Sequence, residues 1–212
     1  MYPKYARSER IADGTMHAIG LTGALSGAVF LILWAAHSVG SGHVAALCVY
    51  GAALVATFAA SAFYHMTPWE GLRPLLRRID HAAIYLKIAG TYTPLVVLIG
   101  NGLAYALLAL VWVLAVAGMV SKLFFWRTPG RYGPLLYLVL GWMGAGMIWL
   151  AWPVLPPWSL GLIVAGGMLY TLGVVFFVWE TLKFSNAIWH GFVVAASACF
   201  FAAIAVAASA AV

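Results

Sequence analysis

Runs of about twenty apolar residues follow one another along this chain, and that succession constrains its fold more than any other feature. A run of that length crosses the roughly 30 Å hydrocarbon core of a bilayer as one helix. Gly, Pro and charge clusters interrupt the runs at HSVGSGH (37–43), MTPWEGLRPLLRRID (66–80), GNG (100–102), KLFFWRTPGRYG (122–133), PVLPP (153–157) and ETLKFSN (180–186). Seven segments remain, approximately 16–36, 44–65, 81–99, 103–121, 134–152, 158–179 and 187–210. Membrane strands are excluded, because the runs are too long and lack strict alternation. The expectation is an all-α bundle of seven transmembrane helices, with 1–15 as an N-terminal segment and 16–212 as a single domain. Composition agrees: 65% of the 212 residues are hydrophobic and 8% are charged. A soluble domain carries about 25% charged residues, so this chain cannot cover a water-facing surface.

The basic residues orient the bundle. Lys4, Arg7 and Arg10 precede the first segment, and Arg73, Arg77 and Arg78 follow the second. Lys122, Arg127 and Arg131 follow the fourth, and Lys183 follows the sixth, whereas the connections after segments one, three and five carry no Lys or Arg. The positive-inside rule therefore predicts a cytoplasmic N-terminus and an outside C-terminus, in a cell membrane such as the bacterial inner membrane. Lys87 alone breaks the pattern. The first run is too long for a signal-peptide core and reads as a retained helix. Cys48 and Cys199 sit singly in apolar runs and form neither a disulfide framework nor a zinc knuckle. The net charge of +6 has no basic stripe behind it, so the expected partner is the lipid bilayer and not nucleic acid.

On this map the ionisable groups gather at one end. Glu9, Asp13 and His17 enter the first helix, and His65 closes the second with Ser61 one turn deeper. Asp80 and His81 open the third, and Asn186 and His190 open the seventh, one helical turn apart on one face. Only His37 and His43 fall in an outer connection, where solvation is expected. Polar groups are expensive against lipid, so these should turn inward and find partners in a shared chamber. Imidazoles with a carboxylate suit zinc, which leaves room for a water among three or four N/O ligands. Without a metal the same groups can relay protons. Residue types alone leave both chemistries open.

SAFYH (61–65), IDHAAIYLKIAGTYTP (79–94) and NAIWHGFVVAASAC (186–199), with ERIADGTMHAIGL (9–21) before them, resemble in order the motifs of the bacterial hemolysin III proteins. That family stands with the progestin and adipoQ receptors. The resemblance implies a seven-helix bundle with an inside N-terminus and a zinc site on the cytoplasmic side. It implies His65 and His190 as zinc ligands, Asp80 as the group acting on water at the metal, and Ser61 as a hydrogen-bonding neighbour. If the protein is a hydrolase, Asp80 and Ser61 are its catalytic pair.

The third ligand position of that pattern holds Asn186, not histidine. An amide oxygen is a weaker zinc ligand than imidazole, so Asn186 is at best a weak replacement, and the expected metal site is then His65, His190, Asp80 and water. His81 could substitute, but adjacent helical residues point about 100° apart. Lys87 lies seven residues beyond Asp80, on roughly the same face, and is expected to pair with it or to snorkel toward the surface. GTYTP should end or kink the third helix before Pro94. Trp69, Trp126, Trp152 and Trp158 fall where interfacial anchors belong. Glycines in GWMGAGM (141–147) and AGGM (165–168) suit close helix contact. The family's name implies a cytolytic, pore-forming or membrane-energetic role, with a narrow proton path through His17, His65, Asp80 and His190 more plausible than a wide pore. The alternatives are a zinc-dependent hydrolase of a lipid amide or ester, resembling membrane ceramidases, and a receptor-like scaffold.

Overall fold

The structure, a computed structural model, describes residues 6–125, 133–179 and 181–212. Lys4, Trp126, Arg127 and Arg131 lie outside the described residues. The described chain is helical throughout: α1 Arg7–Ser38, α2 Ser41–Met66, α3 Arg73–Ile99, α4 Gly102–Val120, α5 Gly133–Trp142, α6 Gly144–Ala151, α7 Pro157–Val178 and α8 Ser185–Ser209. A 3₁₀ turn at Glu70–Leu72 leads into α3, and a π-helical turn at Ser121–Phe125 follows α4. Six of these elements are long and apolar enough to cross a membrane, and the α5–α6 pair forms a shorter apolar seventh segment. The protein is a multi-pass membrane protein.

Several helices reach further than their apolar runs. α1 begins at Arg7, because Glu9 accepts the Ala6 N–H at 2.9 Å and satisfies a donor that the first turn leaves free. α3 begins at Arg73, with Pro74 in the first turn where its missing N–H costs nothing. Arg77, Arg78 and Asp80 therefore stand on a helix rather than in a connection. His37 and His43 are likewise helical, in the last turn of α1 and the first of α2. Nor does Pro94 end α3, which continues to Ile99. The stop is Gly100, left-handed at φ 70° with its N–H on the Val96 carbonyl. Asn101 then caps α4, its Oδ1 accepting the Ala104 N–H at 2.9 Å.

Two-residue connections at 39–40 and 100–101 make α1–α2 and α3–α4 hairpins. α1 packs on α2 and α8, α2 on α3, and α7 on α8, while α5 and α6 fill the side between α3 and α7. α3 is the hub, touching α2, α4, α5, α6 and α8. It approaches α2 closely at Gly90, where an added Cβ would stand 2.5 Å from Ala53 Cβ. In the two glycine clusters, Gly144 and Gly166 do take close contacts, against Tyr92 and Phe200. Gly141, Gly146 and Gly167 face open space.

The fifth segment breaks at Met143. In lipid, a broken helix needs new partners for its freed carbonyls. Tyr92 on α3 supplies one: its hydroxyl reaches the Gly141 carbonyl at 2.7 Å and the Leu140 carbonyl at 3.1 Å. Outside, Phe30, Phe63, Trp149, Trp152 and Trp158 stand exposed around the bundle, an apolar surface suited to lipid and not to water.

Candidate metal centre

One stripe of α1 faces the bundle: Asp13, His17, Gly20, Ala24, Ala28, Leu31 and Ala35. Its spacing of three and four residues is that of a buried helical face. The small residues let α2 and α8 approach, and the two polar members lead the stripe. His65 arrives from the last turn of α2, and His190 from the second turn of α8.

The three imidazoles meet. Ring centroids are 4.3 Å apart for His17 and His190, 4.6 Å for His65 and His190, and 5.2 Å for His17 and His65. One ligand nitrogen from each lies within 4.8 Å of the others, and the group is buried. His17 Nε2 is buried without a hydrogen-bond partner; the nearest carboxyl oxygen, Asp13 Oδ2, is 3.6 Å away. A buried ring nitrogen without a hydrogen-bond partner, on a ring packed against two other imidazoles, suits a metal ligand. The group can hold a metal.

Asp13 organises these rings. Its Oδ1 accepts the His190 Nδ1 proton at 2.6 Å, which leaves the lone pair on His190 Nε2 facing inward. Ser61 Oγ stands 3.5 Å from that Nε2. Asp13 Oδ2 lies 3.7 Å from His65 Nδ1 and accepts from Asn186 Nδ2 at 3.2 Å. The same amide nitrogen is 3.0 Å from His65 Nδ1. Asn186 therefore turns its donor toward the cluster, and the third imidazole comes from His17 on α1. Asp80 lies outside the trio, buried against Ser61 at its edge. His81 donates from Nδ1 to its own helix, at the Arg77 carbonyl 2.9 Å away, and also stays apart from the trio.

The rim is tied by Glu9. Its Oε1 accepts the Phe184 N–H at 2.9 Å and so joins the start of α1 to the start of α8. Between Glu9, Asp13, His65, Met66, Phe184 and Asn186 is an opening of about 10 Å³, room for roughly one water. Lys87 neither pairs with Asp80 nor snorkels outward. Its Nζ donates to Ser197 Oγ on α8 at 2.6 Å.

His17 is expected from the sequence in the chamber but without a ligand role, and the part of Asp13 as its partner is unexpected. Both were signalled by the Asp-x-x-x-His spacing, in phase with the small-residue stripe of α1.

A family model described as "Haemolysin-III related" matches residues 6–201. "Hemolysin-3" of Bacillus cereus is 37% identical over 194 residues, covering 91% of this chain and 89% of its own length. The "Hemolysin-3 homolog" of Bacillus subtilis (strain 168) is 34% identical over 194 residues, 91% of each chain. "Monocyte to macrophage differentiation factor" of Homo sapiens is 30% identical over 165 residues, 74% of this chain and 67% of its own.

Proposed function

The chain belongs to the haemolysin-III-related family, and on that premise we propose that it is a zinc-dependent hydrolase of a lipid amide or ester in the cell membrane. The observation that carries the reading is the convergence of His17, His65 and His190 within ligand distance, with His17 Nε2 buried and not hydrogen-bonded. The three imidazoles would hold the ion, and Asp13 would fix the ring and tautomer of His190 from behind. A bound zinc supplies Lewis acidity toward water or a carbonyl oxygen. Asp80, buried beside Ser61 at the edge of the trio, would take and return the proton of the attacking water. Asn186 serves as a donor that holds Asp13 in place. The charge pattern supports placing this end of the bundle in the cytoplasm.

The family name favours a second reading, a lytic or membrane-energetic role. The opening to the cluster admits roughly one water, which suits a proton path better than a wide pore.

Elemental analysis of gently purified wild type, beside His17→Ala and Asn186→His, tests the metal. One zinc per wild-type chain, lost in His17→Ala, is expected. Zinc appearing only in Asn186→His would show that this chain has given up the site. Release of fatty acid from lipid amides and esters, abolished in Asp80→Asn, tests the hydrolase. Proton flux through liposomes without such release would favour the second reading.

A further inference from the structure

Lys87 stands seven residues beyond Asp80 and therefore about 10 Å further along α3, at a seam with α2, α7 and α8. It is 8% exposed, and its ammonium donates to Ser197 Oγ on α8. The Phe58 ring centroid of α2 lies 4.7 Å from Nζ, and that of Tyr170 on α7 lies 5.2 Å away. Among the described residues, no carboxylate is within ion-pair distance of it.

Around this cation the donors outnumber the acceptors. Ser197 gives its own hydroxyl proton to the Val193 carbonyl and accepts from Lys87. The Tyr170 hydroxyl, 3.0 Å from the same oxygen, is therefore a donor to it, and both Ser197 lone pairs are taken. The other ammonium protons have only ring faces, which attract the charge without carrying a full negative one. The Tyr50 hydroxyl, within electrostatic reach of Tyr170, is buried with no hydrogen-bond partner. Tyr50 packs against the next turn of α3, its Cα 3.8 Å from where a Cβ on Gly90 would stand. Buried donors are normally satisfied, and a cation inside a membrane bundle normally pairs with an anion or marks a ligand site.

We propose that this seam is a halide site, in which the ammonium of Lys87 and the hydroxyl of Tyr50 are the ligands of a chloride ion. One positive charge selects a monovalent anion, and N–H and O–H donors suit it. The aromatic surroundings cannot replace a large hydration shell, so a weakly hydrated ion is favoured over phosphate or a carboxylate. The site is separate from the imidazole cluster and depends neither on a metal there nor on hydrolysis.

The probes are chloride and bromide, added as sodium salts to the full chain in detergent, with sodium gluconate holding the ionic strength constant. The midpoint of thermal unfolding should rise saturably with either halide, because a ligand bound only to the folded state stabilises it. Tyr50→Phe removes one oxygen that has no hydrogen-bond partner in the protein, so the variant should fold. It should raise the half-effective halide concentration about tenfold, the worth of one hydrogen bond to a charged group. Lys87→Met should abolish the response. A midpoint that is the same in halide and in gluconate overturns the proposal and assigns the donors to water. An undiminished response in Lys87→Met, or an unchanged half-effective concentration in Tyr50→Phe, overturns the ligand pair. Where Lys87→Met does not fold, the anomalous scattering of bromide in wild-type crystals decides. A peak beside Lys87 Nζ supports the site, and peaks confined to the protein surface overturn it.

Discussion

Asp13 Oδ1 lies 2.6 Å from His190 Nδ1, across the junction of α1 and α8. A hydrogen bond of this kind fixes the tautomer, because a proton held on Nδ1 leaves the Nε2 lone pair for a metal. Asp13→Asn keeps the shape and removes the charge. Second-shell changes of this sort cost about 10–100-fold in metal affinity. That loss is expected in a chelator competition with zinc, while the variant remains folded by circular dichroism. Unchanged affinity would remove Asp13 from the site.

His17→Ala and His81→Ala separate the trio from its neighbour. His17 offers an unpartnered Nε2 to the cluster, whereas the His81 ring bonds back to its own helix at Arg77. Metal content should therefore fall to background in the first variant and persist in the second. Removing one of three ligands leaves a metal too few donors for a structural or catalytic site. Loss of metal in His81→Ala alone would reverse the assignment.

Metal affinity should fall on acidification. A ligand imidazole must be neutral, so protons compete with the ion. Three ligands compound the competition. The sign is fixed: tighter binding as pH rises, looser binding as it falls. Zinc affinity measured between pH 5 and pH 8 in ~1-unit steps checks this. A flat profile would point to carboxylate ligands instead.

Much of this could be seen in the sequence, and the reasons differ from residue to residue. The spans were legible because hydrocarbon thickness sets a length that composition must honour. Helix starts at Arg7 and Arg73 were hidden, since caps and first-turn prolines extend helices beyond their apolar runs. His65, Asp80 and His190 were legible as residues at one depth. The part of His17 was not, because depth says nothing about which ring nitrogen lacks a partner. Lys87 was misread for a related reason. Its surroundings, Ser197, Phe58 and Tyr170, come from three other helices, and no local pattern announces them.

Tyr92→Phe should destabilise the fold without touching the cluster. The Tyr92 hydroxyl reaches carbonyls at Leu140 and Gly141, beside the break between α5 and α6. Losing a buried hydrogen bond and leaving its acceptor dry costs about 1–3 kcal/mol. A lower midpoint of thermal unfolding in detergent is the expected readout, with metal content unchanged. An unaltered midpoint would mean that the broken segment is held by packing alone.

Gly90→Ala tests the contact between α3 and α2. The new Cβ would meet Ala53 Cβ at 2.5 Å, and the Val49 carbonyl oxygen and Tyr50 Cα lie close behind, at 3.6 and 3.8 Å. Ala53 Cβ is fixed to the α2 backbone and cannot swing aside, so the helices must part. Overpacking of this kind costs about 1–3 kcal/mol. Removing the opposing methyl with Ala53→Gly should restore much of the loss, because the two positions share one contact and cannot be additive. The double-variant cycle, read by thermal unfolding, decides the matter. If Gly90→Ala destabilises and Ala53→Gly does not rescue it, the strain lies in α3 itself and not at its seam with α2.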